Sequence, residues 1–154
     1  MSEPFSIIAA GIGVVDVGLR LTREIFHLIS SFQNATAELR RLNCKIEELR
    51  KIFIEILSLL KSYRQPGPLL ETNQTSLDAL KQGIGDCNEE LVKLQLLLGH
   101  PIYPSETSFN KFGKRVKTIF HERQLGEAST RLERRVGSLT LLLAAIGRYN
   151  TPNL

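Results

Sequence analysis

The tetrapeptide "EIFH", Glu24 to His27, sets a carboxylate and an imidazole three positions apart, the unit from which carboxylate-bridged metal centres in helical bundles are built. Such a centre needs that unit twice, with two further glutamates. Neither His100 nor His121, the other histidines, has a carboxylate three positions before it. Asp86, Glu89 and Glu90 cluster on one helix face, where carboxylates are ordinarily solvated. Cys44 and Cys87 lie far apart with no second thiol or histidine at ligand spacing, which argues against a zinc site or a disulfide framework and for a reducing compartment. "GIGVVDVG", Gly11 to Gly18, has no strand before it and so fails as a dinucleotide fingerprint. No phosphate loop, Gly-x-Ser-x-Gly elbow or His-Glu-x-x-His is present. The expectation is a non-enzyme with no catalytic residue, no cofactor and no metal.

Two features survive this search. From Phe5 to Leu19 a single residue, Asp16, is charged, and Gly11, Gly13 and Gly18 sit among apolar side chains. Met1, Ser2 and Glu3 supply no basic cluster before the run, so a signal peptide is not expected. Fifteen helical residues reach about 22 Å, short of a hydrocarbon core of roughly 30 Å, and Arg20, Arg23 and Glu24 close the window. A permanent transmembrane helix is therefore not expected. A bundle helix that enters a bilayer in a second state stays open. The other feature is a basic tract: residues 111 to 135 hold eight Lys or Arg against three Glu, a surplus of +5 that exceeds the +4 of the whole chain. It reads as a solvated face, as a contact for anionic lipid, or as a contact for nucleic acid. Nucleic acid is the weakest reading, because neither a recognition-helix pattern nor an aromatic stacking sheet accompanies the tract.

The elements that must carry these features read as helices. Leu39, Leu42, Ile46, Leu49, Phe53, Ile56, Leu60 and Tyr63 keep an unbroken 3,4 spacing between "NATAE" at Asn34 and "QPGP" at Gln65. Leu77, Leu80, Ile84, Cys87, Leu91, Leu94 and Leu98 repeat it, with Thr75 or Ser76 as the expected cap and "GHP" as the stop. Phe109, Phe112, Val116 and Ile119 give a short amphipathic piece after the loop "PIYPSETS". The last helix runs through Leu125, Ala128, Leu132, Val136, Leu139 and Leu143 to Ile146. The first helix carries one apolar line along Phe5, Ile8, Ile12, Val15 and Leu19 and a second along Ile7, Val14, Leu21, Ile25, Leu28 and Phe32. Being apolar almost all round, it is expected to be the most enclosed helix, with Ala9 and Gly13 at small-xxx-small spacing for close approach. At 154 residues and 42% hydrophobic, the chain suits one all-α domain over 1–148 with a short tail at 149–154. The expected architecture is a helical bundle of four long helices plus one short helix.

The opening "MSEPFSIIAAGIGVVDVGLRL" resembles the start of the fungal HeLo and HeLo-like domains, which begin with a similar Ser-Glu-Pro-Phe and an Ala/Gly-rich apolar helix. The stretch "KRVKTIFHERQLGEASTRLERRVGSLTLLLAAI" resembles the closing helices of the fungal N-terminal domain of STAND-type receptors. One departure is that family members often carry a Trp near the position of Thr118, and this chain has none. The resemblance implies kinship with the HET-S HeLo domain and with the four-helix bundle of the mixed-lineage kinase-like necroptosis pseudokinase. It further implies a membrane-permeabilising cell-death domain in fungal heterokaryon incompatibility or immunity, cytoplasmic when inactive and at the plasma membrane when activated. Phe5, Ile7, Ile8, Gly11, Ile12, Gly13, Val14, Val15 and Leu19 would then insert after oligomerisation. Lys111, Lys114, Arg115, Lys117, Arg131, Arg134 and Arg135 would bind anionic membrane lipids. Expected partners are those lipids, further copies of the chain, and an amyloid-forming or NLR-type module beyond the C-terminus, with no nucleic acid. The alternative is a helical oligomerisation or signalling adaptor without membrane activity.

Overall fold

A computed structural model of the chain describes residues 3–32, 36–62, 74–99 and 111–150, with side chains described over 6–32, 36–62, 75–99 and 123–146. Those residues form four helices: α1 (Glu3–Ser30), α2 (Ala37–Ser62), α3 (Gln74–Leu98) and α4 (Lys111–Asn150). Local chemistry sets their ends. Thr36 caps α2, its hydroxyl accepting from the Leu39 amide at 3.2 Å, and Glu38 adds a carboxylate where the helix dipole is positive. His27 sits in the last turn of α1, where a cation is favoured, and Gly99 closes α3 through its amide to the Gln95 carbonyl at 2.8 Å. Thr75 and Ser76 lie inside α3, which already begins at Gln74, so neither is its cap. Tyr63, the "QPGP" stretch, the "PIYPSETS" loop and Phe109 fall outside the described residues.

The expected short helix is not a separate element. Residues 111–119 are the opening turns of α4, which runs 40 residues without interruption. The apparent break came from the apolar spacing, because Ile119 to Leu125 is six residues and shifts the stripe around the helix. The intervening "FHERQ" holds no Pro or Gly, so the backbone has no reason to stop.

Packing makes a four-cornered bundle. Both α1 and α4 pack against α2 and α3, which places α1 diagonally across from α4 and α2 across from α3. Directions follow from the side-chain pairs. Val14 meets Asn88 while Glu24 meets Gln95, so α1 and α3 are parallel. Glu90 meets Arg131 while Asp86 meets Arg135, so α3 and α4 are antiparallel. The core is the union of the predicted stripes: Leu39 to Leu60 of α2, Leu77 to Leu98 of α3, and Leu125, Ala128, Leu132, Val136, Leu139 and Ile146 of α4. From α1 come Ile8, Val15, Leu21, Ile25 and Ile29. Helix α1 occupies one corner of the bundle and makes its most extensive helix-helix contacts, in keeping with its apolar girth. Ala9, Gly13, Asp16, Val17, Arg20, Arg23 and His27 remain exposed along its outer edge.

Candidate functional site

Helix α1 holds the proposed inserting residues in the resting bundle. Ile8, Gly11 and Val15 are buried, and Ile7, Ile12, Val14 and Leu19 are half-buried against the core. Gly13 is the exception, and the side chain of Phe5 lies outside those described. Each buried aliphatic side chain contributes about 1.5–3 kcal/mol, so the segment is a working part of the core. The single charge of the window, Asp16, is exposed on the outer edge and costs the bundle nothing.

The glycines divide by face, and not as their spacing suggested. A Cβ at Gly13 would meet nothing within 4 Å, and Ala9 is exposed, so this pair mediates no helix contact among the described residues. Close approach occurs at Gly11 and Gly18, one heptad apart. A Cβ at Gly11 would stand 3.2 Å from Leu60 Cδ1, and one at Gly18 would stand 2.5 Å from Phe53 Cε2 and 2.7 Å from Asn88 Oδ1. Asn88 then reaches across to α1, its Nδ2 donating to the Val14 carbonyl at 2.9 Å, while its Oδ1 is buried without a hydrogen-bond partner among the described residues. Gln95 adds a second tie, donating to Glu24 at 2.8 Å. Gly11 and Gly18 were among the small residues the sequence offered for close approach, but the emphasis fell on Ala9 with Gly13, and Asn88 was missed. The legible signal was the seven-residue interval between Gly11 and Gly18, which returns both to one helix face.

The basic tract separates into two parts. In the described part, Arg131 is bonded to Glu90 at 3.1 Å, and Arg135 pairs with Asp86 at 3.5 Å. Glu90 is only 6% exposed, and Lys93 stands 3.9 Å from its other oxygen. Arg134 forms no ion pair among the described residues, and it lines a cleft of about 300 Å³ with Glu90, Arg131, Arg135 and Ser138. Of the four arginines assigned to lipid, three have described side chains, and two of those, Arg131 and Arg135, are largely neutralised by α3. Acids four apart on α3 thus meet arginines four apart on α4. Lys111, Lys114, Arg115 and Lys117 lie in the opening turns of α4, where the helix is described and the side chains are not.

The two regions sit at opposite ends of the bundle. Gly11 lies beside Leu60 near the end of α2, and Gly83 of α3, at that same end, lies beside Leu139. From the level of Leu139 to Lys114 along α4 is about 37 Å at 1.5 Å per residue.

Other chemistry is thin. Among the described residues no three His, Cys, Asp or Glu side chains converge to hold a metal ion. Glu24 is engaged by Gln95, and His27 stands edge-on to Phe26 at 6.2 Å. Burial, reinforced by Asp86, pushes the Cys87 thiol up to about 12, so it stays protonated and unreactive, while Cys44 is exposed on α2. Lys45 bridges α2 to α4 through Glu133 at 3.2 Å and also meets Glu48 at 3.3 Å; these bonds raise its pKa. No described helix is long and apolar enough to cross a membrane. Set against known proteins, the chain matches no family model, no curated protein and no solved structure.

Proposed function

We propose that this is a non-enzymatic membrane-targeting, membrane-permeabilising domain of a fungal incompatibility or immunity protein. In the closed bundle it resides in the cytoplasm. On activation it oligomerises at the plasma membrane, and α1 leaves its corner and enters the bilayer. The observation that carries the reading is the makeup of α1: from Ser6 to Leu19 it is apolar on its buried and half-buried faces, and its one charge lies at the solvent edge. At its corner α1 packs on α2 and α3, so its departure would leave the packing of α4 on those same two helices in place. The resemblance of both ends of the chain to HeLo-like domains supports the same conclusion. Because α1 alone falls short of a membrane span, the reading places it in the bilayer as one element of an oligomer.

A second reading has its own support. Leu96 of α3 is 72% exposed and Leu141 of α4 is 74% exposed, apolar surface that suits a helical oligomerisation adaptor without membrane activity. Dye release separates the two. The membrane reading expects release from vesicles containing phosphatidylserine and little from pure phosphatidylcholine. An adaptor self-associates in solution and releases dye from neither.

A further inference from the structure

We infer that the opening turns of α4, residues 111–122, form an amphipathic docking helix that lies in the surface of an anionic bilayer. The inference takes its partner from the reading above but does not depend on insertion of α1.

Geometry first frees these turns from the bundle. At 40 residues α4 is about 60 Å long, whereas α2 and α3, at 26 and 25 residues, reach about 38 Å. The α4 backbone at Gly126 stands beside Glu38, in the first turn of α2, so residues before 126 run past the start of that helix. The antiparallel pairing of Glu90 with Arg131 sets Leu98, the end of α3, level with about residue 123. Ser30, the last residue of α1, is level with Asn43 of α2, further back still. Residues 111–122 therefore extend about 18 Å beyond the described ends of all three neighbouring helices.

The sequence pattern then changes where the neighbours stop. From Leu125 to Ile146 the apolar positions of α4 follow the core. At about 100° per residue, positions 112, 116 and 119 lie roughly half a turn away from that stripe, so they do not continue it. Phe112, Val116, Ile119 and Phe120 occupy one arc of about 100°, and Lys111, Lys114, Arg115 and Lys117 occupy the complementary arc. Apolar and cationic residues on opposite arcs of a free helix are the pattern of a segment that lies in the membrane interface.

Charge selects an anionic surface as the occupant. No Asp or Glu occurs from 111 to 121, and the first turn of α4 has no acid. Its cations thus stand at the helix end that is already positive and whose first amides have no intrahelical acceptor, an arrangement that lipid phosphates and carboxylates relieve. An acidic protein groove would supply charge but not the plane that an apolar arc of this width requires.

The chain contains no Trp, so Phe112→Trp in the full protein places the sole indole on the apolar arc. Adding phosphatidylserine-containing vesicles should shift its emission to the blue, with quenching by lipids brominated near the headgroup, and added salt should reverse the shift. In the same background Lys114→Gln, Arg115→Gln and Lys117→Gln together should weaken partitioning about 100-fold, with an unchanged melt. The inference is overturned if the variant does not bind the vesicles. It is equally overturned if it binds without an emission change, or if the indole is already blue in buffer because the chain or a second copy covers it. Dye release measured in parallel keeps the two readings apart: release without the shift removes the docking helix alone, and the shift without release removes permeabilisation alone.

Discussion

Helix α1 and the start of α4 both join apolar residues to the positive or neutral end of a long helix, yet they meet their surroundings in opposite ways. In α1 the apolar residues are taken up by α2 and α3, and what faces water is Ala9, Gly13, Asp16 and Arg20. At the start of α4 the described neighbouring helices have ended, and the apolar positions fall off the stripe that joins the core. The contrast separates a concealed element from an available one. About 37 Å along the bundle separates them, and in the closed bundle the apolar residues of α1 face α2 and α3. Under the proposed function docking and insertion are distinct steps, with opening of the α1 corner between them.

Removing the concealed element should have the largest effect. Deleting residues 1–20 strips Ile8 and Val15, and the half-buried Ile12 and Leu19, from the core, at about 1.5–3 kcal/mol for each fully buried side chain. The truncated chain should lose its cooperative melt by circular dichroism. Replacing Phe112, Val116 and Ile119 with serine should leave the melt within about 1 kcal/mol of the parent, since the inference sets these positions outside the core. Equal melts for the two variants would erase the contrast.

The glycines sharpen it within α1 alone. Gly18→Ala presses a methyl group into Phe53 and Asn88, and overpacking of about 1–3 kcal/mol outweighs the roughly 1 kcal/mol gained in helix propensity. Gly13→Ala meets nothing and should gain up to about 1 kcal/mol. Urea titration should show opposite signs.

A third substitution pair divides the arginines of α4. Arg131→Ala leaves Glu90, at 6% exposure, with only the distant Lys93 and should cost about 1–3 kcal/mol. Arg134→Ala, with no ion pair among the described residues, should stay within about 0.5 kcal/mol. In vesicle binding the order should reverse, with Arg134 the more sensitive because it alone of the three is unneutralised.

The smallest effect is chemical. Below pH 9.0, the ordinary thiol value, Cys87 is protonated folded and unfolded alike. Above it the unfolded chain loses a proton that the folded chain keeps until about 12. Stability should therefore fall across that window by at most about 1.4 kcal/mol per pH unit, and Cys87→Ala should flatten the fall. At neutral pH iodoacetamide should modify Cys44 and spare Cys87 until the protein unfolds.

Most of the bundle was legible because a stripe at 3,4 spacing states which face meets the core. Leu39 to Leu60 and Leu77 to Leu98 were found at every position. What the stripe does not state is the number of neighbours. The same apolar girth in α1 fits a centre or a corner, and only packing chose the corner. Nor does the stripe say where a helix ends: its shift between Ile119 and Leu125 looked like a boundary, when it marked the place where the neighbouring helices stop. Of the candidate sites, the cross-helix pairing of Arg131 and Arg135 lay in the sequence as two matched i, i+4 sets, visible only once α3 and α4 are known to be adjacent. Asn88 had no signal beyond being polar beside a core position.

Insertion of α1 is tested most directly at Gly13. Gly11→Glu would drive a carboxylate into Leu60 and damage the bundle, whereas Gly13 is exposed, open around its missing Cβ and near the middle of the window from Phe5 to Leu19. A glutamate there leaves the closed state intact and meets about 2.5–3.5 kcal/mol of resistance at the centre of a bilayer. If α1 enters the membrane, Gly13→Glu should melt like the parent, bind phosphatidylserine vesicles equally well, and release dye at least about tenfold more slowly. Release at the parent's rate from a folded Gly13→Glu protein would contradict insertion of α1.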